Sequence, residues 1–171
     1  MFLDVWPMDL FDSNHSDEFD TSSLFQLQLA CILHMVRFCC FTFMVSFSEV
    51  SFQVPIWKDL ALRVFLLASL DVEETHKRQL QLRQQLRQLR IKARIEIVCR
   101  PNIEEEIATS FQINHMLLEH SSSNTAVVFL YLPLPPNERN HEYMSALSTV
   151  TDSLPPTVLV HGISPVTSTN L

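Results

Sequence analysis

From Trp57 to the carboxyl terminus, short apolar runs of β character alternate with polar stretches of helical length. The runs read LRVFLLASL from Leu62, IKARIEIV from Ile91, TAVVFLYL from Thr125 and PPTVLVHG from Pro155. Three of the four are nearly continuous in Val, Leu, Ile and Phe, the pattern of parallel strands covered by helices on both faces. FLDVWPMDL, residues 2–10, supplies a further strand ended at or just after Pro7. The predicted fold is α/β, with a mainly parallel sheet of about five strands and helices on both faces. Such a fold sets the architecture and leaves function to whatever site is grafted on it.

Between the strands, local chemistry marks the helices. After the acidic, Ser-rich stretch 12–23, which reads as a solvated loop, Ser22 or Ser23 is placed to cap a helix with Leu24, Leu27, Cys31, Ile32 and Met35 inward. Asp71, with Glu74 three residues on, forms a capping-box pattern for a helix running to about Leu89. Leu82, Leu86 and Leu89 make its buried stripe, and Arg83, Arg87 and Arg90 repeat that spacing about 100° around the axis. Pro101 and Asn102 open a second helix, with Ile107, Phe111 and Leu118 inward. Asn137 is placed to cap a third, carrying Tyr143, Leu147, Val150 and Leu154. The run from Ile91 alternates apolar and charged residues, with Ile91, Ala93, Ile95 and Ile97 on one side. That is the signature of a half-exposed edge strand.

Composition excludes several function classes. The chain has 171 residues, 47% of them hydrophobic, enough for one ordinary domain with a core. Acidic residues outnumber basic ones 19 to 12, and a net charge of -7 gives no general attraction for nucleic acid. Gly162 is the sole glycine, where average usage of about 7% would give roughly a dozen. Phosphate-cradling loops need several glycines, so neither a P-loop nor a Rossmann fingerprint is present. Cys31, Cys39, Cys40 and Cys99 are irregularly spaced and read as free thiols of a reducing compartment. Met1 is followed by Phe2, Leu3 and Asp4 without a basic stretch, so no signal peptide is expected.

No constellation points to catalysis, a metal or a cofactor. The seven histidines lack ligand spacing, and no serine or cysteine lies in a G-x-S-x-G elbow. Cys99 follows a strand, where α/β proteins place reactive groups, but a lone thiol there is more often structural. Seven of the twelve basic residues fall between Lys77 and Arg94. Arg83, Arg87 and Arg90 are thus the candidate interaction surface, for a partner's acidic loop or acidic headgroups; the competing reading is a solvated helix face balanced by nearby glutamates. Thr169, Asn170 and Leu171 match a PDZ-type carboxylate ending.

The ordered blocks LDVWPMDL, LFQLQLACILHMV, WKDLALRVFL, LRQLRIKARIEIV, NHMLLEHSSSNTAVVFLYLPLPP and LSTVTDSLPPTVLVHGISPVTSTNL resemble the carboxyl-terminal cytoplasmic domain of the cation-chloride cotransporters, solute carrier family 12. The resemblance implies a domain beneath a multi-span permease that mediates homodimerisation or association with other cotransporters and relays regulation. It further implies that the chain is a fragment, at the cytoplasmic side of the membrane, without the ion pathway. Residues 1–36 then hold the first strand and helix of the domain, 37–56 an atypical insertion, and 57–171 the α/β core. The insertion, RFCCFTFMVSFSEVSFQVPI, interrupts a junction that is nearly direct in the family, and reads as translated intron or a misplaced exon join. Abundant message carrying it in frame would overturn that reading. The region after Pro101 is shorter than the acidic linkers of the family, so no phosphorylation segment carries over.

Two other classes compete. A free-standing nucleotide-binding module of the universal-stress-protein kind has the same strand–helix rhythm, though not the glycine-rich loop. A single-span membrane protein would use residues 24–48, which Gln26, Gln28, His34 and Arg37 interrupt.

Overall fold

The computed structural model describes residues 1–10, 22–32, 60–68, 71–99, 109–135 and 140–162. Five strands, β1 (Phe2–Trp6), β2 (Ala61–Leu67), β3 (Arg94–Val98), β4 (Thr125–Tyr131) and β5 (Thr157–Val160), form one sheet in the order β3-β2-β1-β4-β5. Every pairing is parallel. The helices are α1 (residues 22–32), α2 (Val72–Gln88), α3 (Ser110–His120) and α4 (Asn140–Thr151). The chain winds outward from β1 to β3, then returns to the other side of β1 and winds out to β5. The point at which the strand order reverses therefore lies between β1 and β4.

Side chains alternate across the sheet and build two cores. On one face Leu3, Val5, Leu62, Val64, Val127 and Phe129 meet Leu27 and Ala30 of α1 and Leu82 and Leu86 of α2. On the other, Trp6, Phe65, Leu67, Val128 and Leu130 meet Ile113, Met116 and Leu117 of α3 and Val150 of α4. Helices thus cover both faces, the arrangement expected from the continuous apolar runs.

Helix α2 follows its sequence closely. The Asp71 carboxylate accepts from Glu73 N–H at 2.9 Å, and Glu74 turns to Arg78 one helical turn on. Leu82 and Leu86 are buried and Leu89 packs beside them. At its end Arg90 N–H donates to Arg87 O at 3.0 Å and Ile91 N–H to Leu86 O at 2.8 Å, a Schellman arrangement. Arg90 therefore takes the left-handed position, with φ 56°, which glycine usually fills. Arg90→Gly is expected to raise stability by about 1 kcal/mol by relieving the Cβ strain. Its urea midpoint tests this, and an unchanged or lowered midpoint would refute it.

Other elements depart from expectation. Helix α3 does not start at Pro101: Thr109 is extended, with φ -68° and ψ 153°, and caps a helix beginning at Ser110. Its hydroxyl accepts from Gln112 N–H while the Gln112 side chain accepts from Thr109 N–H at 2.8 Å. That box sets the phase of the helix. Ile113, Met116 and Leu117 turn inward, Leu118 is half-buried, and Phe111 is 71% exposed. In α1, Ser22 lies within the helical run and bonds Gly162; Ser23, Gln26, Leu27 and Ala30 are buried, while Ile32 faces out. On β3, Ile97 is 43% exposed, although the alternation placed it inward with Ile95. β3 is the outermost strand, so its side chains gain cover from one side only. Met35, the 37–56 segment, Pro101, Ile107, Asn137 and Thr169 to Leu171 lie outside the described residues, as does most of 24–48.

Candidate functional site

The arginine row lies on the exposed side of α2, and folding adds two cations that the row alone did not suggest. Arg83 and Arg87 face Lys92 and Arg94 across an open groove of about 680 Å³ between the end of α2 and the start of β3. Leu86, Ile91, Ala93 and Ile95 also line it. The left-handed turn at Arg90 takes that third arginine out of the helical row, and it does not line the groove. Arg94 Nε meets Glu96 Oε1 at 2.6 Å. Among the described residues no carboxylate pairs with Arg83, Arg87, Arg90 or Lys92. The groove is thus a cationic rim around an aliphatic floor.

The carboxyl edge of the sheet, where doubly wound folds bind ligands, is stitched together by the chain itself at the β1/β4 reversal. Gln26 Nε2 donates to Trp6 O at 3.2 Å, and Tyr143 Oη donates to Pro133 O at 2.8 Å. Burial, and after it the Asp9 charge, pushes the Tyr143 pKa up, so the phenol stays a proton donor. Ser22 Oγ donates to Gly162 O and accepts from Gly162 N–H, both at 2.9 Å. A Cβ at Gly162 would lie 2.6 Å from Phe25 Cβ. The sole glycine thus lets the chain just after β5 lie against α1, where a nucleotide-binding sheet would receive phosphate.

A second polar cluster lies at the amino edge, and sequence reasoning missed it. Asp4 is fully buried; its two oxygens accept from Arg63 Nε and Nη2, each at 2.7 Å. Thr125 Oγ1 donates to Asp4 at 2.7 Å, and Arg63 Nη2 also reaches His120 O, at the end of α3, at 3.2 Å. The guanidinium lies 4.0 Å from the Phe2 ring centre. Both Asp4 oxygens are hydrogen-bonded and the group is largely buried, which makes it a device for joining β1, β2 and β4 rather than a reactive site.

Cys31 is half-buried and Cys99 exposed; burial raises the Cys31 pKa, which disfavours its thiolate. Among the described residues no three His, Cys, Asp or Glu side chains are grouped to hold a metal ion. His115 approaches Glu119 on the surface of α3 at 3.5 Å, while His120 packs against Trp6 and Phe65. No helix among the described residues is long and apolar enough to cross a membrane.

No family model matches the chain. It is nevertheless 35% identical to solute carrier family 12 member 9 of Danio rerio, in an alignment that takes in 99% of the chain and 18% of that protein. It is 32% identical to the Xenopus laevis protein of the same name, over 99% of the chain and 20% of the relative. A shorter stretch, 28% of the chain, is 53% identical to the Homo sapiens protein. The chain therefore spans about a fifth of the length of the first two relatives. Through 99% of its length it is homologous to a segment of the solute carrier family 12 proteins named member 9.

Proposed function

We propose that this chain is a carboxyl-terminal cytoplasmic regulatory and dimerisation domain of a cation-chloride cotransporter-like membrane protein. It works as part of a multi-span permease and carries no ion pathway of its own. The observation that carries the reading is homology along 99% of the chain to a segment about a fifth as long as its relatives. The fold is compatible with it: a layered parallel sheet whose carboxyl edge is bridged by the chain's own hydrogen bonds, with Arg83 and Arg87 on one outer helix beside Lys92. The partners are the remainder of the permease and a second copy or another cotransporter, with no nucleic acid. Membrane attachment comes through the intact protein.

Arg83→Glu, Arg87→Glu and Arg90→Glu together are expected to weaken co-purification with a full-length cotransporter about tenfold, the sum of three exposed ion pairs. The fold should stay intact, because all three side chains are exposed. Unchanged co-purification would remove this surface from the proposal. Sedimentation equilibrium of the full chain tests dimerisation, which a monomer at every concentration would exclude.

A further inference from the structure

The cationic groove lies beside β3, an end strand of the sheet among the described residues, where the backbone has a definite polarity. In a parallel strand the N–H and C=O of one residue point to the same side, and the side alternates along the chain. Val98 O accepts from Ala68 N–H at 2.8 Å, so Val98, Glu96 and Arg94 turn their backbone groups toward β2. Ile95 and Ile97 therefore turn theirs outward, on the last strand of the sheet. Ile95 also lines the groove, and Ile97 is 43% exposed. Edge strands are usually blunted by charge or covered. On the α2 side of this edge Arg83, Arg87 and Lys92 have no carboxylate partner among the described residues, on a chain of net charge -7.

The geometry points to a docking site for an extended acidic peptide segment of another protein, which adds to β3 as a sixth strand and lays its carboxylates on Arg83, Arg87 and Lys92. This rests on the reading of the arginine row as a contact surface, and supplies the class of partner. Every second side chain of an added strand enters the groove. A glutamate there rests its methylenes on Leu86 and Ile95 while its carboxylate reaches the cations. The added backbone takes the outward groups of Ile95 and Ile97. A second copy docking through the same edge would bring two cation sets together. A flat anionic membrane would meet the cations but leave the aliphatic floor and the strand edge unused.

The test titrates the full chain into a fluorescein-labelled peptide of alternating glutamate and valine, about eight residues long. Saturable binding is expected. The triple variant Arg83→Glu, Arg87→Glu and Lys92→Glu should weaken it about tenfold. Two further peptides, N-methylated at alternate residues in opposite phases, test strand addition without touching the fold. One phase should lose about tenfold and the other little, since only alternate amides face β3. Ile97→Pro, which deletes an outward N–H and spares the ladder to β2, should weaken binding by about fivefold. Equal binding of the two N-methylated phases, together with a loss on charge reversal, would overturn strand addition and leave the arginine surface standing. Capture by phosphatidylserine vesicles without peptide binding would overturn the peptide as occupant. No saturable peptide binding, or no effect of charge reversal, would overturn the proposal; in the latter case the surface reading falls with it.

Discussion

Asp4→Ala is expected to lower the unfolding free energy by about 3–5 kcal/mol, because it leaves the Arg63 guanidinium largely buried without its counter-charge. The Arg63 side chain is only 15% exposed, between β1, β2 and the end of α3. It would keep the Phe2 ring and the bonds to His120 O and Thr125 Oγ1, but lose two charge-assisted hydrogen bonds of 2.7 Å. Thr125 Oγ1 loses its acceptor as well. Much of the loss is the cost of an orphaned charge rather than the worth of the pair. Joint replacement, Asp4→Leu with Arg63→Met, should therefore recover most of it. Urea unfolding of the single and double variants decides the matter, with the midpoint falling in the single variant at unchanged slope. A loss below about 1 kcal/mol in Asp4→Ala, the range of an exposed pair, would mean that the site is more solvated than its geometry implies. The cluster also bears on specificity. Asp4 and Arg63 face each other across β1 and β2, and a one-residue slip of either strand would bury both charges apart.

The architecture was legible because the three central strands are buried on both faces, and only residues such as Val64, Phe65, Val127 and Phe129 suit that environment. Helix α2 was legible for the complementary reason: Leu82, Leu86 and Leu89 recur at helical spacing in a polar stretch. Helix α3 was misphased because residues 101–112 contain two helix-start signals, and the Thr109–Gln112 box supplies the observed start. The Asp4–Arg63 pair left one trace in the sequence. Each is the sole charged residue of its strand and the third residue of that strand. Reading that trace requires knowing that β1 and β2 are neighbours, and strand order is set by how the whole chain winds. The groove was half legible for the same reason. Arg83 and Arg87 follow from helical period, whereas Lys92 and Arg94 join them only once β3 lies alongside α2. Gly162 stood out as the sole glycine, but its reason, the closeness of Phe25 and Ser22, is a contact between distant parts of the chain.

Trp6→Ala should cost about 3–5 kcal/mol, the range for emptying the site of a large aromatic residue in a core. Trp6 is fully buried and among the largest side chains in the structure, and its ring stacks on Phe65 with centroids 4.2 Å apart and planes 5° from parallel. Its Nε1 donates to Ser121 Oγ at 3.3 Å, joining the end of β1 to the turn after α3. Both neighbours are rigidly held, Phe65 within β2 and Ser121 at the α3 cap, so the space left by alanine closes only in part. A domain of this kind has about 5–15 kcal/mol in all, so the variant should populate unfolded chain measurably at 37 °C. Trp6→Phe separates the contributions: it keeps a stacked ring, gives up the indole hydrogen bond and some volume, and should cost about half as much. Ser121→Ala then isolates the hydrogen bond at about 1 kcal/mol. Urea unfolding followed by far-ultraviolet circular dichroism serves all three, since it does not depend on the tryptophan being removed. If Trp6→Ala cost no more than Ser121→Ala, the packing of the α3 face would have to be looser than the structure has it, and the central place of Trp6 in that core would fall.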